Sequence, residues 1–510
     1  MATPSEKLAE SLDVLKALQD KGVVAIRTKD LSRTHRERLV KNGFLKLVMK
    51  GWFIQARPDE TPGESTAWYA SYWDFCAAYL TDRFGDEWVL SPEQSVLIHV
   101  ENMTVPRQLL VRASNGKNNI TQLPFETSLI DTRSTTVNNA DLVTKEGLSV
   151  YALPLALIML SPNFFVDNPS DARAALSQIG SASEVLGYLL AGNHSTIAGR
   201  LAGAFRNIGR DRIANDILGT MSDAGYSLRE IDPFESQPPV LLSSRPASAY
   251  ANRLILMWQE MREPVLARFP APPGIPADIG RYMKDIDDSY VTDAYHSLSI
   301  EGYRVSPELI ERVRSGVWTP DDEAGKKDAD AMAARGYWQA YQAVRDSIGR
   351  IFEGENAGAV VDNDHGSWYR QMFAPSVAAG LLKSYELAGY RNMPVYIRQS
   401  KHVPPNQQSV RDAMPVFFDL LQQENEPAVR VVLGHFFFVF IHPYTDGNGR
   451  IGRFLMNAML ASGGYPWTVI QVEQRRAYMA ALEDASVRQN IAPFADFLAT
   501  NVESKVVGSL

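Results

Sequence analysis

His442-Pro443-Tyr444-Thr445-Asp446-Gly447-Asn448-Gly449-Arg450-Ile451-Gly452-Arg453 is the most informative stretch of the 510-residue chain. It follows a strongly apolar run, 431–441, that reads as a helix. Pro443 disfavours the helical conformation at His442, so the helix is expected to end there and to present the imidazole beside a loop. The glycines around Asn448 tolerate positive φ, and consecutive N–H groups turned inward make an anion nest. A second helix, 450–461, is expected to open directly afterwards with its positive end toward the same spot. Arg450 and Arg453, three apart on its first turn, add two guanidinium forks suited to phosphate. Asp446 supplies a carboxylate of the kind that holds magnesium against phosphate oxygens. The stretch thus brings together a base, a metal ligand and a polyphosphate cradle.

Other readings explain less. Gly447-Asn448-Gly449-Arg450-Ile451-Gly452 spells G-x-G-x-x-G, and Glu473 follows at about the 20-residue spacing of a dinucleotide fold. That fold needs its first glycine directly after a strand, whereas His-Pro-Tyr-Thr-Asp intervenes and no βαβ units surround it. An EF-hand fails because Arg450 falls on a ligand position and Asn457 stands where a glutamate is required. A plain turn between two core helices leaves the paired arginines, the helix-end histidine and the nest without a purpose.

The stretch matches the signature of the Fic family, H-P-F-x-[D/E]-G-N-G-R-x-x-R, with Tyr444 in place of the usual phenylalanine. A tyrosine keeps such an apolar anchor when its hydroxyl finds a partner. The resemblance implies an all-α C-terminal Fic fold with a small β-hairpin flap. It also implies transfer of AMP from ATP to a Ser, Thr or Tyr hydroxyl of a protein, with release of pyrophosphate. On that resemblance His442 is the general base, and Asp446 holds Mg²⁺ between the α- and β-phosphates. Gly447, Asn448 and Gly449 form the anion hole, and Arg450 and Arg453 hold the outer phosphates. Gly449 stands where kinase-like relatives carry lysine, which favours a nucleotidyltransferase.

About 140 residues upstream lies His296-Ser297-Leu298-Ser299-Ile300-Glu301-Gly302. Read alone it is a helix end with Gly302 as the stop. It resembles the inhibitory motif [S/T]-x-x-x-E-[G/N] of many Fic proteins through Ser297, Glu301 and Gly302. The resemblance implies that Glu301 pairs with Arg453 in cis and leaves nucleotide only a non-productive pose. In some relatives the same glutamate supports the reverse reaction, removal of AMP. Met393-Pro394-Val395-Tyr396-Ile397-Arg398 reads as the hairpin flap, with Val395, Tyr396 and Ile397 registering a target segment by strand pairing. Tyr478 is expected near the adenine or else in the core, and His435 is expected to be packed.

The rest of the chain sets the context. Hydrophobic residues make up 45% and charged residues 22%, which excludes wholesale disorder and fibrous folds. A single cysteine, Cys76, excludes an intramolecular disulfide framework and a multi-cysteine zinc site. Net charge is −8, yet residues 1–58 hold twelve Lys and Arg against six Asp and Glu, leaving −14 for the remainder. Three short helices and a hairpin are expected there, the order of a winged helix-turn-helix, with a basic third helix suited to duplex DNA. Further on, 88–90, 96–99 and 108–112 read as short strands and 172–226 as helical. Thr28-Lys29-Asp30-Leu31, and Gly43-Phe44-Leu45-Lys46-Leu47 running into Gly51-Trp52-Phe53, resemble the AbiEi-like antitoxin/regulator architecture over roughly residues 1–230, a winged helix followed by a mixed α/β domain. That resemblance implies no catalytic residue.

The expected organisation is therefore multidomain: a winged helix-turn-helix (1–58), a mixed α/β AbiEi-like domain (59–233), a proline-rich linker (234–247) and a Fic domain (248–510) with an inhibitory helix near 297–302. The expected activity is that of a self-inhibited protein adenylyltransferase using ATP and Mg²⁺. The alternatives are a nucleotide-sensing DNA-binding regulator and a de-adenylylating enzyme. Expected partners are a protein substrate, the chain itself by auto-adenylylation, duplex DNA through 1–58, and a second copy in a homodimer. No apolar run reaches the roughly 20 residues of a membrane helix, and residues 1–19 lack an apolar signal core, so a cytoplasmic location without membrane is expected.

Overall fold

The computed structural model describes residues 3–60, 63–134, 139–234, 248–317 and 328–507. The expected linker falls outside them apart from Phe234. The chain divides into two compact units: Met1–Arg253 with Tyr396–Val403, and Leu254–Val395 with Pro404–Leu510.

The first unit opens with a helix, Pro4–Gln19, whose Thr3 and Glu6 form a capping box. Ser32 caps the next helix, Arg33–Lys41, by accepting the His35 N–H. Strands β1 (Ala25–Arg27), β2 (Leu45–Met49) and β3 (Trp52–Gln55) form an antiparallel sheet in the order β1-β3-β2. Leu15, Ile26, Leu31, Leu39, Leu45 and Phe53 close a small core beneath it. The short helix expected near Thr28 is a single 3₁₀ turn, Thr28–Asp30. Asp30 accepts the Arg27 N–H at 2.7 Å, and this local side-chain bond competes with helix propagation. Several cations of this region have internal partners. Arg36 donates to the Thr28 carbonyl, Arg38 to the Lys7 carbonyl and Ser11, and Lys46 pairs with Glu60. The charge count of residues 1–58 therefore overstates what they offer a phosphate backbone.

A mixed region follows. The aromatic-rich helix Thr66–Phe84 packs Trp68, Tyr72 and Phe75 into the larger core. Strands β4 (Trp88–Leu90), β5 (Gln108–Ala113), β6 (Asn119–Gln122) and β7 (Ser128–Arg133) form a sheet in the order β4-β5-β7-β6, with β5 and β7 parallel. β8 (Leu142–Lys145) and β9 (Leu148–Tyr151) pair separately. The strand expected at 96–99 is instead the end of a helix, Pro92–His99. Ser91 caps it and Pro92 takes its first position, where a missing N–H costs nothing. Six helices run from Leu153 to Asp223. Residues Tyr396–Val403 belong to this unit: Arg398 Nε donates to Glu64 at 2.9 Å, the Gln399 N–H to Thr66 Oγ1 at 2.9 Å, and the Val105 N–H to the Lys401 carbonyl at 2.9 Å.

The second unit is helical, and its described residues include no β-strand. Residues 393–398 likewise carry no strand, so the hairpin flap expected at Val395, Tyr396 and Ile397 does not form. Pro394 withholds an N–H from any ladder, and the backbone of this stretch is engaged by side chains: Arg391 takes the Met393 carbonyl and Thr66 takes the Gln399 N–H. The central helix, Pro427–Ile441, is apolar on all sides, with Phe436, Phe437, Phe438, Phe440 and Ile441 at most 1% exposed. A helix of that kind can only lie inside. It packs against the helix Asn448–Ser462, and the loop between them carries the decisive stretch. No helix among the described residues is long and apolar enough to cross a membrane.

Candidate active site

The loop is built around a left-handed turn. His442 ends the central helix at φ 54°, and Gly447 opens the next at φ 80°. The second helix begins at Asn448, two residues earlier than expected, so the N–H groups of Asn448, Gly449 and Arg450 lie in its first turn, where no helical carbonyl precedes them. Asn448 was expected in the anion hole. That expectation concerns its backbone N–H; its side chain staples the loop, accepting the Tyr444 N–H at 2.9 Å and donating to the Tyr444 carbonyl at 2.8 Å. Tyr444 is the apolar anchor, stacked on Tyr369 with ring centroids 3.9 Å apart.

His442 has its tautomer set by geometry. Nδ1 lies 3.0 Å from the Val439 carbonyl. A carbonyl only accepts, so Nδ1 carries the hydrogen and Nε2 keeps its lone pair. Burial lowers the imidazole pKa to about 4, against the Val439 bond and the charges of Glu301 and Asp446, which raise it, while Arg391 lowers it further. The ring is therefore neutral at pH 7.

The two arginines are both buried. Arg450 donates to Asp446 at 3.0 Å and lies over the rings of Tyr303 and Phe373. Arg453 donates from Nε to Ser297 Oγ (2.9 Å), and from Nη2 to the Ser297 carbonyl (3.1 Å) and Glu301 (2.6 Å). Arg450 Nε and Arg453 Nη1 are buried without a hydrogen-bond partner, and a buried donor left unmade is costly. Those two donors suit an anion. A Cβ built on Gly449 would lie 2.4 Å from Glu301 Oε1 and 3.2 Å from Arg453 Nη1. The carboxylate thus rests over the nest, in space that any side chain at this position would fill.

Ser297 and Glu301 come from the end of the helix Ile279–Ile300, and Gly302 leaves it at φ 96°, where a side chain would be strained. Burial works against the Glu301 charge, but Arg453 and then Arg450 outweigh it, and the carboxyl sits below its ordinary range. The same carboxylate overrides burial at Arg453 and holds its pKa above the ordinary value. Both partners are therefore charged at neutral pH. A lowered carboxyl pKa means the pair is intact at neutral pH and is lost only as pH falls through that lowered value.

Residues without a motif complete the arrangement. Asp293, two turns before Glu301 on the same helix, is buried and accepts from Tyr337 (2.5 Å) and Trp467 (3.2 Å). Burial pushes its pKa up to about 6. Arg475 caps the same helix by donating to the Ile300 carbonyl at 2.8 Å. The spacing Asp293, Ser297, Glu301 was the available signal for this shared face. Tyr478 lies in the core, 1% exposed, with its hydroxyl 2.6 Å from His435 Nε2. His435 is itself fully buried. The structure thus gathers Ser297, Glu301, Gly449, Arg450, Arg453, Asp446 and His442 at one place. It does not bring Val395, Tyr396 and Ile397 into a strand or Tyr478 to an open surface.

Residues 367–460, which span the loop and the two helices around it, match the Fic/DOC family. The chain carries a Fic domain. Protein adenylyltransferase Fic of Nematostella vectensis is 29% identical over 236 residues, 46% of this chain and 51% of its own length. That of Culex quinquefasciatus is 29% identical over 220 residues, 42% and 41% of the two chains. The chain thus spans about half the length of the curated relatives it matches. Among solved structures, a Fic-1 fragment from Caenorhabditis elegans aligns with 16% identity and a TM-score of 0.36, over 70% of this chain and 90% of that one. A Fic-domain signalling protein from Bacteroides thetaiotaomicron aligns with 19% identity and a TM-score of 0.34, over 50% and 95%.

Proposed function

We propose that the Fic domain transfers AMP from ATP to a protein hydroxyl and that Glu301 of the same chain holds it off. The observation that carries the reading is the double engagement of Arg453: one terminal nitrogen is bound by Glu301, while the other is buried, unpartnered and close to Gly449. In the productive state Arg453 and Arg450 hold the outer phosphates, and the first-turn N–H groups of Asn448–Ser462 face the bridging phosphates. His442 Nε2 takes the proton of the incoming hydroxyl. The hydroxyl oxygen then bonds to the α-phosphorus as the bond to the β-phosphate oxygen breaks, and pyrophosphate leaves with that oxygen. In-line transfer of this kind asks the protein for position and charge rather than for covalent chemistry.

The described residues include no cluster of three or more His, Cys, Asp or Glu suited to a metal. A lone carboxylate nevertheless fits magnesium, which is commonly bound by one or two carboxylates together with substrate phosphates. Asp446, with its side chain 64% exposed, is the residue that would hold it. The ion would neutralise phosphate charge there.

The reading is tested by incubation with Mg²⁺ and ATP labelled at either the α- or the γ-phosphate. Label is expected on protein only from the α position, and weakly in the wild type. Retention of γ-label, or none in any released variant, would reject AMP transfer. Loss of label from pre-modified protein only while Glu301 is present would favour the reverse reaction.

The acid dependence follows from His442. Its pKa is lowered, so the neutral base persists from neutral pH down toward about 4. Initial rates of the released enzyme should lack an acid limb near the ordinary histidine value of about 6.5. A limb at 6 to 7 carried by His442 would place its imidazole in solvent instead.

A further inference from the structure

The loop's exit carbonyls raise a question of supply. After the central helix ends, the carbonyls of His442 and Pro443 lie in a buried turn and need donors. Both come from one residue, Arg391, which is 2% exposed. Its backbone N–H donates to the Pro443 carbonyl at 2.9 Å, and its Nε to the His442 carbonyl at 2.8 Å. The two terminal nitrogens turn the other way. Nη1 donates to the Met393 carbonyl at 3.2 Å and Nη2 to the Pro405 carbonyl at 2.5 Å. Met393 is the first residue of the stretch read in the sequence as the target-docking flap, and Pro405 lies seven residues past its end.

We infer that Arg391 is a positioning residue that holds the His442 backbone in its left-handed conformation and ties the catalytic loop to both ends of the 393–405 segment. A non-glycine residue at positive φ persists only where its surroundings over-determine it. Here a rigid guanidinium fork fixes the carbonyl of that very residue. The same fork makes the catalytic loop and the carbonyls of Met393 and Pro405 one piece, so the imidazole keeps a fixed place beside the following helix. Lysine cannot reproduce the link, because an ammonium is a point donor on a flexible stem rather than a planar fork.

The inference rests on the proposed transfer reaction, and the test separates the two. Arg391→Lys and Arg391→Gln are made in the Glu301→Gly background. Folding is checked by thermal melting, and kcat, KM for ATP, ATP affinity and the pH–rate profile are measured. Both variants should lose about 100-fold in kcat, the scale of a misplaced catalytic group, with ATP affinity within about 3-fold of the parent, because residues 446–453 hold the nucleotide. Of the charges acting on the imidazole in the wild type, Arg391, Glu301 and Asp446, this background keeps Arg391 and Asp446. The lysine variant should therefore keep the parental acid limb, while the glutamine variant should move it upward. Titration of the His442 ring by NMR reads the same shift without turnover. It remains informative even if the parent transfers no AMP, an outcome that would count against the function alone. Unchanged kcat in either folded variant, or ATP affinity falling in step with kcat, would overturn the positioning role.

Discussion

Glu301→Gly is expected to raise protein-bound AMP by about 10- to 100-fold over the wild type. The figure is the scale of a coupling of about 1.5 to 3 kcal/mol between closely paired charges that a competing ligand must displace. Arg453 Nη2 meets Glu301 at 2.6 Å, and the carboxylate stands where a side chain on Gly449 would collide with it. A polyphosphate tail needs both the donor and the space. Glycine removes the charge and the volume together. Glu301 caps its helix with φ −79°, an ordinary helical value, so the change does not strain the backbone. Glu301→Gln keeps the volume while discarding the charge, and should release only part of the activity. Equal labelling by the wild type and Glu301→Gly would end the autoinhibition reading.

His442→Ala, placed in the released background, is expected to lower transfer by at least about 1,000-fold, toward the upper end of what a positioned general base contributes. ATP binding should stay within a few-fold. The imidazole's own hydrogen bond runs to Val439, and the arginines and first-turn N–H groups of the cradle belong to the following helix. Alanine at φ 54° costs about 1–2 kcal/mol in an L-residue generally, but histidine already bears a similar cost at this position, so stability should change little. Calorimetry with ATP alongside the labelling assay checks both halves. Persistent label in the double variant would move the base to another residue.

Much of this site was legible because its chemistry is local. The turn at Gly447, the paired arginines and the helix-end histidine lie within one short run, and their physics follows from helix ends and positive φ. Glu301 was legible through a motif, although what it touches depends on a fold that brings residues about 150 apart in sequence together. Arg391 was not legible. Its partners are backbone carbonyls, which carry no sequence signature, and it lies in a stretch without regular structure. The flap was misjudged for the opposite reason. Val395, Tyr396 and Ile397 have the composition of a strand, but strand pairing needs a partner edge, and side chains have taken the backbone groups on either side. In the first unit, Val96, Leu97 and Ile98 are a short apolar run, so periodicity could not separate strand from helix. The capping pair Ser91 and Pro92 held the missing information.

The carboxylate and the arginine it covers belong to one polypeptide and one compact unit. If Glu301 blocks nucleotide as proposed, the amount of blocking group at the cradle is set by covalent geometry, a local concentration that bulk protein level does not alter. Under that proposal, diluting the protein would leave the site shut, and crowding it would not shut it further. Whatever opens it would have to act on the helix end that carries Glu301, or outcompete the carboxylate for a single guanidinium.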